Sequence, residues 1–141
     1  MIQRIQSVYL LLGGLLLSSF VVLASAWTRT AATVHASLPW AIYVLSVVDG
    51  LIGFVAVVLY KDRQTQVRVI AIVQWLDLAL ILVLVAVLGI LSFRSDQDAL
   101  SSSMTTYAVL LMPVASYILF GLARRAVSKD IELVRSADRL R

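Results

Sequence analysis

The sequence predicts an all-α integral membrane four-helix bundle, two transmembrane hairpins followed by a C-terminal amphipathic cytoplasmic helix. Three observations predict it. Of the 141 residues, 61% are hydrophobic and only 14% charged, more apolar surface than a water-soluble domain can hide. The apolar residues gather into four runs, each near the roughly 20 residues a helix needs to cross about 30 Å of hydrocarbon. The runs show no alternation of polar and apolar residues, so they do not read as barrel strands, and helices are left to satisfy their backbone groups within lipid.

The spans are expected at 5–26, 38–60, 69–93 and 105–123, so that 1–123 forms the transmembrane domain and 124–141 a charged tail. The first also has the outline of a secretory signal, with Arg4, an apolar stretch and "ASA" before Trp27. It is long for a signal, and retention is expected. Ser37 is placed to N-cap the second helix, with Pro39 in its first turn, where a missing N–H costs nothing. Pro113 falls inside the fourth helix, where it removes the bond to the carbonyl of Val109 and favours a kink. The connecting loops are short, so helices adjacent in sequence should pack antiparallel. Small residues mark contact faces, because they let backbones approach: Gly13, Gly14, Ser18 and Ser19 on the first helix, and Ser46, Gly50 and Gly53 on the second. No internal repeat suggests the inverted halves of a transporter.

Orientation follows from basic residues being retained in the cytoplasm. Arg4, Lys61, Arg63, Arg68, Arg124, Arg125, Lys129, Arg135, Arg139 and Arg141 fall on one side of the four spans, and only Arg29 and Arg94 on the other. Both termini and the middle loop are therefore expected inside. Trp27, Trp40, Phe93 and Tyr107 would lie near the outer interface, and Tyr9 and Tyr60 near the inner one.

Chemistry is restricted by what is missing. There are no cysteines and a single histidine, His35, which removes disulfides, thiolate chemistry and multi-histidine metal sites. No phosphate-cradling glycine loop, nucleophile elbow or His and Glu pair at metal spacing occurs. No cofactor is expected, and a non-enzymatic protein is. Nucleic acid is not an expected partner either, since topology accounts for the positive charge.

Two acids interrupt the spans, and an intramembrane acid is by default a functional candidate. Asp49 falls near the middle of the second helix and Asp77 in the inner half of the third. Arg63, Gln66, Ile70, Gln74 and Asp77 share one helical face, so a polar stripe runs inward from the middle loop. One reading is a proton or cation site. The other is structural, with Asp77 bonded to Gln74, Gln6 or Ser7, and Asp49 neutral or paired with Tyr43, Ser46 or a neighbouring chain.

On a helical wheel, residues 122–141 separate a basic face from an apolar one, the pattern of an amphipathic helix that continues from the fourth span or bends to lie along the inner leaflet. The basic face suits anionic lipid headgroups, and Glu132 and Arg135, one turn apart, can pair. Asp130 and Asp138, however, project from the apolar side. That placement favours docking on protein, with Arg4, Lys61, Arg63 or Arg68 as partners. A docking cluster of Arg4, Lys61, Arg63, Arg68, Asp130, Arg135, Asp138 and Arg139 is expected, with membrane lipids and a protein partner or a second copy as the things it meets.

The stretches "MIQRIQSVYLLL", "YKDRQTQVR" and "RAVSKDIELVRSADRLR" resemble the signatures of a family of small four-helix membrane proteins of Bacteroidota, catalogued as a domain of unknown function. The resemblance spans the chain in order. It implies a four-span inner-membrane protein with cytoplasmic termini, and no activity. It also implies a hydrogen-bonding role for Asp77, at a position where relatives tend to carry an amide, and no family-wide role for Asp49.

Overall fold

The computed structural model describes the backbone of residues 2–23, 31–93 and 103–139, and side chains over 5–23, 31–60, 62–91, 93 and 110–136. Four long helices account for most of it: α1, Ile2–Leu23; α2, Leu38–Val58; α3, Arg63–Phe93; and α4, Ser103–Arg139. Each is long and apolar enough to cross a membrane. A short helical turn at 31–34 precedes α2, and a 3-10 turn, Leu59–Lys61, joins α2 to α3.

The helices form a closed ring in which α1 packs on α2, α2 on α3, α3 on α4, and α4 back on α1. Sequential neighbours are thus spatial neighbours, as the short loops require. The interior holds Leu10, Leu17, Phe20, Ile42, Ile70, Leu80, Leu84 and Phe120. It also holds the polar groups of the spans, Gln6, Ser46, Asp49, Gln66, Asp77 and Ser116, all buried. Large apolar side chains cover the outside instead, among them Phe93 at 93% and Trp75 at 72% exposure. Polar inside and apolar outside is the arrangement hydrocarbon selects and water does not.

The small-residue faces of α1 and α2 have one principal occupant. A Cβ on Gly13 would stand 3.0 Å from the Phe120 ring of α4, and one on Gly53 would stand 3.1 Å from it. Gly14 faces Phe54 in the same way, at 3.3 Å. The glycines therefore form a niche in which an aromatic ring of α4 keys α1 and α2 together. This is packing within the chain.

Helix ends depart from expectation in two places. Ser37 stands at the N-cap position of α2, with Pro39 in the first turn, but it makes no side-chain cap bond. Its backbone is already helical, and its hydroxyl lies 2.8 Å from His35 Nδ1 instead. The working cap belongs to α3, where Asp62 Oδ1 accepts from the Thr65 N–H at 3.2 Å and Oδ2 from the Thr65 hydroxyl at 2.6 Å. These bonds hold the Asp62 carboxyl below the usual aspartate range. With that cap, α3 starts six residues before the expected span and absorbs most of the middle loop. The last helix, α4, runs unbroken through 123 and 124, with Pro113 inside it, so the charged tail continues the last span, one of the two arrangements expected for it.

At 31 and 37 residues, α3 and α4 are about 46 and 55 Å long, well beyond a bilayer core. Arg63, the first residue of α3, lies against Asp130 near the end of α4. The excess length of both helices thus overhangs α2 at one end of the bundle, as a two-helix projection.

Candidate functional site

The polar stripe of α3 is read almost residue by residue by α4. Asp77 Oδ2 shares a hydrogen bond of 2.5 Å with the Ser116 hydroxyl. Arg124 Nη1 donates to Gln74 Oε1 at 3.3 Å, within reach because Gly121 leaves the Gln74 amide room against α4. Arg63 Nη1 stands 2.8 Å from Asp130 Oδ2. That last contact has the distance of an ion pair but not the angle of a hydrogen bond, since Oδ2 otherwise lacks a partner. It is a charge contact. These three rungs descend α3 as they ascend α4, the order an antiparallel pair demands.

The fourth member of the stripe turns the other way. Gln66 is buried, and its Nε2 donates to the Ala56 carbonyl of α2 at 3.0 Å. Ala56 lies in the last turn of α2, where carbonyls lose their partners along the helix. Gln66 therefore closes an open helix end from the next helix.

Asp49 is placed differently. It is fully buried on α2, and neither carboxyl oxygen has a hydrogen-bond partner among the described residues. Ser46, one turn away, donates to the Ile42 carbonyl of its own helix at 2.6 Å. Asp77 Oδ1 and Gln6 Nε2 are likewise buried without partners. Among the described residues, no three acidic or histidine side chains converge as metal ligands would.

On the projection, Arg68 and Arg135 are exposed, and Arg63 pairs with Asp130. Glu132 and Arg135 are both exposed and form no ion pair with each other. The side chains of Arg4, Lys61, Asp138 and Arg139 lie outside the described residues, as do those of Trp27, Arg29, Arg94, Tyr107 and Arg141. Two hollows flank the projection. One of about 500 Å³ is lined by Asp62, Arg63, Gln64, Ile131 and Val134. A larger one of about 680 Å³ opens along α4 beside Gln74.

Sequence reasoning found the α3 stripe and named Asp130 with Arg63 among its expected partners, but missed the other two readers. Ser116 carried no signal beyond being a serine in an apolar run. Arg124 read as a topology marker. Asp62 carried a usable signal, an acid immediately before a helix start, which the reading of 61–68 as loop concealed.

No curated protein and no solved structure matches this chain. A family model for a domain of unknown function, DUF4293, matches residues 2–140. The three quoted signatures fall within that match except for Met1 and Arg141, and α1 through α4 all lie inside it. This multi-pass helical membrane protein therefore belongs to the DUF4293 family.

Proposed function

We propose that the protein is a non-enzymatic accessory or scaffold subunit of the bacterial inner membrane, with both termini cytoplasmic, acting through the projection made by α3 and α4. The observation that carries this reading is the last part of α4. It continues as helix past the apolar span, Asp130 is held by Arg63, and Leu133 and Val134 are each 48% exposed amid charged neighbours. With the span ending at 123 as expected from the sequence, these exposed apolar residues lie on a held helix beyond the hydrocarbon, where they have no lipid to meet and suit a protein partner or a second copy. A photo-crosslinker at Leu133, activated in native membranes, should give a defined adduct that Val134→Glu removes. An intact protein that yields neither a hetero-adduct nor a homo-adduct would sink the proposal. Deleting 124–141 is a poorer test, because buried Val127 and the Arg124 and Asp130 rungs leave with the tail.

A second reading, a proton- or cation-coupled carrier using Asp49 and Asp77, draws on one observation. A fully buried acid with two unpartnered oxygens is costly in hydrocarbon, by at least about 2.5 kcal/mol when charged, and such groups are often kept for use. In sealed liposomes it predicts proton or cation flux that Asp49→Asn abolishes. Vesicles that stay tight with the wild-type chain would remove it.

A further inference from the structure

The larger hollow along α4 has an ordered composition. Ile118, Leu122, Arg125 and Lys129 recur at spacings of four, three and four, so they form one face of the helix. All line the hollow of about 680 Å³. That face is aliphatic up to Leu122 and cationic from Arg125. Ile118 and Leu122 are exposed, as lipid-facing residues should be. Arg124 joins the cationic end, with its guanidinium steadied by the bond to Gln74.

The acids of this helix are distributed unevenly around it. Asp130 faces α3 and is occupied by Arg63. Among the described residues only Glu132 of these acids reaches the hollow, at its far end, against three cations. The result is a groove with net positive charge at the point where the apolar span ends. Phosphate oxygens suit guanidinium forks and an ammonium, and acyl chains suit the exposed aliphatic residues immediately below.

We propose that this groove binds one anionic phospholipid, its phosphate held by Arg124, Arg125 and Lys129 and its chains lying on Ile118 and Leu122. A phospholipid fits better than a free anion because the apolar and cationic halves share one helical face, and only a lipid presents both. The site lies on a different part of α4 from Leu133 and Val134, so it stands or falls apart from the scaffold reading.

The test is native mass spectrometry of the full chain in detergent, with phosphatidylglycerol, phosphatidylcholine and inorganic phosphate as the probes. Phosphatidylglycerol should be retained in preference to phosphatidylcholine. Arg125→Gln with Lys129→Gln should weaken it by about thirtyfold, the effect of two surface charges. Both residues are exposed, so the fold should tolerate the change, and Arg125→Lys with Lys129→Arg should retain binding. The control, Arg68→Gln with Arg135→Gln, removes two exposed cations that do not line the groove. Equal retention of the two lipids would overturn the proposal. So would an equal loss in the control, or displacement of the lipid by inorganic phosphate at matched concentration.

Discussion

The Ser116 hydroxyl of α4 lies 2.5 Å from Asp77 Oδ2 on α3 and 2.7 Å from the carbonyl of Pro113 on its own helix. A hydroxyl has one proton, so it can donate to one of these oxygens and not to both. If the acid is protonated, both contacts are satisfied: its O–H donates to Ser116 Oγ, and the hydroxyl donates to the Pro113 carbonyl. An amide at 77 could do the same. Asp77 is then a rung that joins two helices through a neutral donor.

The expected consequence is an asymmetry between two substitutions. Asp77→Asn keeps a donor toward Ser116 and should be tolerated. Ser116→Ala leaves Asp77 without its partner and should destabilise the bundle by about 0.6 to 1.7 kcal/mol, the range found for hydrogen bonds between helices in membranes. Reversible unfolding in mixed micelles measures both. The rung is misassigned if Asp77→Asn costs more than Ser116→Ala.

The Phe120 niche makes a sharper steric prediction. The ring would meet a Cβ on Gly13 at 3.0 Å and one on Gly53 at 3.1 Å, so it cannot retreat from either without meeting the other. Gly13→Ala should therefore cost about 1 to 3 kcal/mol. Phe120→Leu in the same chain should recover part of that. Gly89→Ala, with nothing within 4 Å of the added carbon, should be neutral, or stabilising by up to about 1 kcal/mol through helix propensity. Thermal melts in detergent separate the three.

These contacts show where sequence reasoning reached and where it stopped. The spans were legible because hydrocarbon thickness sets a length that a single chain displays. The α3 stripe was legible because Arg63, Gln66, Gln74 and Asp77 repeat with the helix's own period. Asp130 was legible too, with Arg63 among its expected partners, but Ser116 and Arg124 were not legible as readers of the stripe, because pairing two helices needs their relative register and rotation, which neither helix encodes alone. For the same reason Gly13, Gly14 and Gly53 announced close packing without announcing Phe120. Asp49 was visible as an anomaly from the start, and the fold sharpens it by giving it no hydrogen-bond partner among the described residues.

The contact between Arg63 and Asp130 should steady the projection while adding little to global stability. The side chains are 29% and 14% exposed, so solvent screens the pair and its worth is expected at about 0.2 to 1 kcal/mol. The chain has no cysteine, which allows clean spin labelling of Gln64→Cys and Val134→Cys on the hollow beside the pair. The distance distribution between the labels should be narrow in the parent chain and broaden with Arg63→Ala or in high salt. The charge swap Arg63→Glu with Asp130→Arg should narrow it again. A distribution indifferent to all three changes would show that the pair does not hold the projection.

The last expectation concerns pH and the start of α3. Asp62 accepts from the hydroxyl and the N–H of Thr65, and these bonds lower its pKa in the folded chain. A lowered folded pKa means that the folded state favours the carboxylate more than the unfolded state does. The capping contribution is therefore fully present above the unfolded aspartate value of about 3.9. It is lost as pH falls through the lower, folded value. Amide exchange at Thr65, corrected for its intrinsic pH dependence, should show protection that is flat near neutrality and declines in acid. Asp62→Asn keeps an acceptor that does not titrate, so it should retain a cap and abolish the decline. Asp62→Ala should remove protection at every pH. An acid decline that persists in Asp62→Asn would mean that another group controls this helix end.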